Sequence, residues 1–187
     1  MRIVFIGPPG AGKGTQSLRV AKDLGVTHLS TGEVLRESRE RGAVIGKRAA
    51  VYLDAGKLVP DEIVIELVAY RLAESDCKSG YLFDGFPRTL AQAKSLDALL
   101  AQQDAPLHAA IEFVIPEEEL LERLSKRGRE DDTKERIRER LRQHSEITVP
   151  MTEYYEELGI LYRIDAVGTP DEVFARIGEA LAGIDQS

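Results

Sequence analysis

Cysteine is almost absent. The chain of 187 residues holds one, Cys77, so it can form no intramolecular disulfide and no multi-cysteine zinc site. A lone thiol suits a reducing compartment. Long apolar runs are missing as well. Met1-Arg2-Ile3-Val4-Phe5-Ile6 reaches Gly7 after four apolar residues, too few for the apolar region of a secretory signal. Nothing approaches the ~20 apolar residues of a membrane span. The expectation is a cytoplasmic protein with no membrane partner. Nor is there an excess of positive charge. Its 25 Lys and Arg stand against 32 Asp and Glu, a net charge of −7. That argues against a general nucleic-acid binder, which must neutralise phosphates. Repeats, low-complexity tracts and Gly/Ser linkers are also lacking. Residues 1–187 therefore read as a single domain, and nothing in them demands more than a monomer. A chain this long buries roughly 70% of the surface its unfolded form exposes.

What is present is alternation. Short apolar runs at residues 3–6, 81–83, 111–115 and 161–164, with a weaker one at 27–29, are separated by longer helical patterns. Such alternation predicts β-α-β units and a parallel sheet covered on both faces. Apolar residues at helical spacing run through 61–73 and 90–100. Helix starts are marked by capping-box spacings at Ser30-x-x-Glu33, Thr89-x-x-Gln92, Asp132-x-x-Glu135 and Thr169-Pro170-x-Glu172. Glu117, Glu118 and Glu119 suit a positive helix N-terminus. Two segments look less like core: residues 30–59, mostly helical with glycines at 42, 46 and 56, and the polar loop 126–132. Both are expected to act as flaps.

Gly7-Pro8-Pro9-Gly10-Ala11-Gly12-Lys13-Gly14-Thr15 directly follows the first apolar run and precedes a helical pattern. A strand, a Gly-rich turn and a helix form the context of a phosphate-binding loop. Glycines let backbone N–H groups turn inward around a phosphate, the helix N-terminus adds a favourable field, and Lys13 adds a point charge. The general pattern wants Ser or Thr directly after the Lys, to touch Mg²⁺. Here Gly14 holds that place and the hydroxyl comes one residue later, at Thr15. This departure speaks against a simple GTPase and puts a direct Mg²⁺ contact from Thr15 in question.

The loop, read with Gln16, resembles the opening of nucleoside monophosphate kinases. Four further stretches carry the likeness along essentially the whole chain: His28-Leu29-Ser30-Thr31-Gly32-Glu33-x-Leu35-Arg36; Gly56-x-Leu58-Val59-Pro60-Asp61; Asp84-Gly85-Phe86-Pro87-Arg88-Thr89-x-x-Gln92; and Arg127-x-Arg129-x-Asp131-Asp132 with Arg140. Together they resemble the adenylate kinases in their short-lid form. The resemblance implies a P-loop NTPase-type α/β three-layer sandwich with a five-stranded parallel sheet. It implies a helical nucleoside-monophosphate flap at residues 30–59 and a short lid at 126–132. It implies reversible phosphoryl transfer from Mg·ATP to AMP, giving two ADP.

The same resemblance assigns residues. Gly10, Ala11, Gly12, Lys13, Gly14 and Thr15 would hold ATP, with Arg123 stacked on its adenine and Arg127 also serving it. Gly168 could offer the adenine a backbone contact, a plain turn glycine being the alternative. Thr31 would touch the acceptor adenine, or be a helix cap. Lys57, Leu58 and Val59 through their backbone, and Gln92 through its side chain, would hold that base; Gln92 could instead be the third residue of a capping box. Gly85, Phe86 and Pro87 would line the AMP site, with a cis bond before Pro87. Arg36 and Arg88 would grip the AMP phosphate, a role that suits a bidentate guanidinium, although both could be solvated charges. Arg129 and Arg140 would bridge the reacting phosphates. Arg136, Arg138 and Arg142 read as surface charges, and Asp131 and Asp132 as lid anchors.

Asp84 ends an apolar run. A carboxylate at the C-terminal end of a parallel strand faces the ligand crevice, where it could orient Mg²⁺ through a bound water. A turn-forming Asp before Gly85 is the alternative. No zinc is expected, and His28, His108 and His144 form neither a metal spacing nor a pair. No general base is needed, because the AMP phosphate is already an anionic nucleophile. Lys13, Arg88, Arg127, Arg129 and Arg140 would act by position and charge. A UMP/CMP kinase shares much of the pattern but usually carries Ala where this chain has Thr31. Another small-molecule P-loop kinase would give no reason for the 30–36 and 84–88 stretches together. A non-catalytic nucleotide sensor would need a damaged loop.

Overall fold

The computed structural model describes residues 1–41, 43–54, 59–127 and 134–184, without the side chains of residues 36, 53, 54, 127, 134, 136, 140 and 143. The apolar runs form five strands: β1 (Arg2–Ile6), β2 (Thr27–Ser30), β3 (Tyr81–Asp84), β4 (Ala109–Val114) and β5 (Leu161–Asp165). They make one sheet in the order β2-β3-β1-β4-β5, and every pairing is parallel. Each strand lies within two residues of its predicted run at either end. The register sets Val4 between Phe83 and Ala110, and Ser30 beside Asp84.

Among the described residues eight α-helices connect or follow the strands: α1 (Lys13–Leu24), α2 (Thr31–Glu40), α3 (Val44–Asp54), α4 (Asp61–Leu72), α5 (Leu90–Ala101), α6 (Glu117–Arg127), α7 (Lys134–Glu157) and α8 (Pro170–Ala182). Parallel strands need such crossovers, which cover both sheet faces. Side chains in β1 alternate between two cores. Val4 and Ile6 pack with Val68 of α4, Leu96 of α5 and Tyr155 of α7. Ile3 and Phe5 pack with Val20 of α1 and Ile177 of α8. Burying a side chain of this size contributes roughly 1.5–3 kcal/mol, so the central strand is anchored from both sides. The result is a three-layer α/β sandwich with a five-stranded parallel sheet. A third, smaller cluster joins Val34 of α2 and Ile45 and Ala49 of α3 to Ile63 and Leu67 of α4.

The capping signals divide. At α8 the box closes in full: the Thr169 hydroxyl accepts from the Glu172 N–H, and the Glu172 carboxylate accepts from the Thr169 N–H. At α5 half of it closes, since Thr89 accepts from the Gln92 N–H while the Gln92 carbonyl oxygen accepts from the Arg88 N–H instead. At α2, Ser30 makes no side-chain cap. Glu33 sits 3.7 Å from His28 Nδ1, so it answers a ring rather than the backbone. The box expected at Asp132 lies outside the described residues. Helix α7 runs through Pro150, which has no N–H to give back to the preceding turn. Among the described residues no helix is long and apolar enough to cross a membrane.

Candidate active site

The loop between β1 and α1 is a turn that only glycines can make. Gly10 and Gly12 have φ of 88° and 94°, which L side chains rarely adopt. A Cβ on Gly10 would also come within 2.9 Å of Leu124. Helix α1 then starts at Lys13 with a left-handed Gly12 as its N-cap, no side-chain cap and no acidic residue in its first turn. The positive end of the helix thus meets the loop uncompensated, the arrangement that favours an anion. Gly14 and Thr15 are exposed there, and Ala11 is buried.

Lys13 reaches back over the loop. Its ammonium donates to the carbonyls of Gly7 and of Pro8, the latter at 2.9 Å. Burial lowers its pKa to about 8, with the Arg88 charge adding to the shift and Asp84 opposing it. Asp84, at the end of β3, accepts from Ser17 Oγ at 3.1 Å. His28 Nε2 lies 3.1 Å from the same hydroxyl and 3.9 Å from the carboxylate. Burial alone would raise the Asp84 carboxyl; His28, the Lys13 charge and Ser17 outweigh it and hold the group below the usual carboxylate range. A Cβ on Gly14 would stand 3.5 Å from Asp84 Oδ2, so this ionised carboxylate faces the start of α1.

The Asp84–Arg88 turn forms the opposite side. The Phe86–Pro87 peptide is cis, with Phe86 buried against Phe83. The Gly85 carbonyl accepts from Arg88 Nε at 2.7 Å and from Thr31 Oγ1 at 3.2 Å. That bond orients Thr31, which is buried at the start of α2. Gln92 is held too: its amide donates to Asp61 at 2.6 Å. Half-buried Val59 packs beside the small cluster of α2, α3 and α4. Gly7, Lys13, Gly85, Pro87 and Arg88 line one cavity of about 260 Å³, closed on the α7 side by His144, Thr148 and Met151. The fold thus brings the two glycine-bearing turns, far apart in sequence, to one space at the C-terminal ends of the strands, where open α/β sheets bind ligands.

A second group gathers at the β4–β5 edge. Arg123 donates to Glu119 at 2.8 Å and to the Ala166 carbonyl at 3.1 Å, which sets it beside the turn holding Gly168, at φ 114°. Arg142 is exposed and paired with Glu139 and Glu146. Arg138 is exposed, 3.9 Å from Glu117. Lys57, Leu58, Arg129, Asp131 and Asp132 lie outside the described residues, as do the side chains of Arg36, Arg127, Arg136 and Arg140.

Three residues escaped the sequence reading. Ser17 and His28 hold Asp84 in place, and His144 forms part of the cavity. His28 stands two residues before Ser30, which the register sets beside Asp84; a polar residue inside the weak apolar run that forms β2 was the available signal. Among the described residues no cluster of three or more acidic, His or Cys side chains could hold a metal alone. One ionised carboxylate does fit Mg²⁺, which keeps most of its waters and takes other ligands from substrate phosphates.

Comparison with known proteins agrees with this geometry. A family model described as adenylate kinase matches residues 5–160. The adenylate kinase of Thermus thermophilus is 48% identical over 183 residues, covering 96% of each chain. That of Mycolicibacterium vanbaalenii is 48% identical over 181 residues, covering 97% of this chain and 99% of its own. That of Thermobifida fusca is 47% identical over 185 residues, covering 97% and 98%. With the phosphate loop, the parallel sheet and near-complete matches of this kind in agreement, the chain belongs to the adenylate kinase family.

Proposed function

We infer that the chain transfers the terminal phosphoryl group of ATP to AMP, reversibly, giving two ADP. The observation that carries this reading is the shared cavity: Lys13 and the phosphate loop stand on one side and the Gly85–Arg88 turn on the other. Two phosphate-seeking walls facing one space suit a reaction between two nucleotides better than hydrolysis of one. ATP takes the loop, with Gly10, Ala11, Gly12, Lys13, Gly14 and Thr15 around its phosphates, Arg123 and Gly168 toward its base, and Arg127 also serving it. AMP takes the other side, with Thr31, Val59 and Gln92 at its base and Arg36 and Arg88 on its phosphate. The backbones of Lys57 and Leu58 and the turn at Gly85, Phe86 and Pro87 complete the AMP site. Arg129 and Arg140 serve both sets of phosphates.

The chemistry asks for no general base. The acceptor phosphate is already anionic, so the protein's tasks are alignment and charge stabilisation. Lys13 leaves its loop carbonyls for the donor phosphates, and Arg88 presents its guanidinium to the acceptor. Mg²⁺ bound with ATP would be held by Asp84 through water and would neutralise charge on the transferred group. Residues 30–59 and 126–132 act as flap and lid, excluding water so that transfer outruns hydrolysis. One chain supplies both walls, so the enzyme works as a monomer, in the cytoplasm.

The test is ADP formation with Mg·ATP and each of AMP, UMP, CMP and GMP. Turnover with AMP above all others is expected. A preference for UMP or CMP would keep the transfer but remove adenine from the acceptor site, and no turnover with any acceptor would reject the reading.

A further inference from the structure

Asp61 has no part in the chemistry above, yet it holds a side chain that does. It opens α4 and is half-buried. Gln92, buried near the start of α5, donates from Nε2 to Asp61 Oδ1 at 2.6 Å, and its Oε1 accepts from the Arg88 N–H at 2.8 Å. The other Asp61 oxygen accepts from the Thr89 hydroxyl at 3.4 Å. That hydroxyl accepts in turn from the Gln92 backbone N–H at 3.1 Å. One carboxylate thus ties the first residue of α4 to the start of α5.

These partners decide which way round the Gln92 amide lies. A carboxylate only accepts and a backbone N–H only donates. Turning the amide over would set donor against donor at Arg88 and acceptor against acceptor at Asp61. The two bonds use one amide N–H and one lone pair of Oε1, and leave one of each. Adenine offers a bare N1 and a 6-amino group, which match a donor and an acceptor in that order. A 6-oxopurine offers N1–H and a carbonyl, the same pair reversed. An amide at liberty to turn serves either base, and a locked one serves only one. We propose that Asp61 is a positioning residue for acceptor specificity: it locks the polarity of the Gln92 amide, so that the site takes a 6-aminopurine and refuses a 6-oxopurine. This rests on the reading of Gln92 as a ligand of the AMP base. The competing role is a helix-end charge, since Pro60 gives α4 no side-chain cap and an acid in the first turn suits its positive end.

The test compares Asp61→Leu with Asp61→Asn. Both remove the charge at the start of α4, so a helix-end contribution falls alike in both and the midpoint of thermal unfolding reports it. Only Asn keeps a carbonyl that accepts from Gln92. For each variant kcat and KM are measured with AMP and with inosine monophosphate, together with the KM for ATP. The Leu variant is expected to lower the ratio of kcat/KM for AMP to that for inosine monophosphate about tenfold. The change should lie in the KM for AMP, with the KM for ATP unaltered, and Asn should recover most of the ratio. Gln92→Leu should lower the ratio too, and adding Asp61→Leu to it should lower the ratio no further. A wild-type ratio in Asp61→Leu would overturn the inference, as would an equal loss in Asp61→Asn or a further loss in the double variant. A wild-type protein that uses both acceptors equally, or neither, would overturn the reading of Gln92 as a base ligand, and this inference with it.

Discussion

The phosphate loop and the α2–α3 segment both rise from the C-terminal side of the sheet, yet they are held in different ways. The loop is fastened from many directions: Gly10 is pressed against Leu124, Lys13 lies on two loop carbonyls, and Asp84 is fixed by Ser17 and His28. The α2–α3 segment rests on a small cluster of its own with α4. Its polar links to α4 include the exposed Arg48–Glu66 pair at 2.6 Å, of a kind that contributes about 0–1 kcal/mol. The contrast teaches that preorganisation has been spent on the phosphates. A small satellite core holds few buried apolar contacts, and such regions open at lower free energy than the main core. That is what the proposed flap role asks of this segment.

The comparison can be broken most easily at the loop. Lys13→Ala and Arg88→Ala are expected to lower kcat by about 10³-fold or more, since each removes a cation from the transition state. Both should leave the unfolding midpoint nearly unchanged, because neither side chain belongs to a core cluster. Near-wild-type turnover in either would show that the rigid region is not where the chemistry is held.

A smaller effect tests the other region. Gly46 sits where a Cβ would meet the Ser38 carbonyl oxygen within 2.3 Å. Ala normally stabilises a helix interior by about 1 kcal/mol over Gly; here Gly46→Ala is expected to destabilise instead, by prising α2 from α3. Hydrogen exchange should show lost protection in α2 and α3 with β1 and β4 unaffected, and the KM for AMP should rise more than that for ATP. Uniform loss of protection across the sheet would mean that the segment is not a separate unit.

pH gives the smallest and most discriminating effects. Lys13 is charged below about 8, so its attraction for phosphate is present at neutral pH and lost as pH rises through that value. The kcat/KM profile, which reports the free enzyme, should fall on its alkaline side near pH 8. His144 behaves in the opposite sense as a stability group. Its pKa drops from an ordinary 6.5 to about 4, so between those values the unfolded chain binds the extra proton. Its contribution is whole above 6.5 and is lost as pH falls toward 4. The unfolding midpoint of wild type should therefore fall more steeply over that interval than that of His144→Leu.

Much of this was legible in the chain. Short apolar runs located all five strands, and the Gly-Lys spacing after the first of them located the loop, because both signals are local. What the sequence could not display was convergence. Ser17, His28 and Asp84 lie on α1, β2 and β3 and meet because the sheet order sets β3 between β2 and β1, the strand from which the loop leads into α1. His144, amid charged residues on a long helix, looks like a solvent-facing position until α7 is laid against Gly7. Ser30 carried the right letters for a capping box, but Glu33 was claimed by His28. Local rules gave way where a tertiary partner competed for the same group.

The most direct test of the two-walled cavity is to supply the protein with Mg²⁺ and ADP alone. ADP can occupy both sides, and a site that excludes water must return ATP and AMP in equal amounts until equilibrium is reached. Release of AMP with inorganic phosphate, or no conversion at all, would contradict the account.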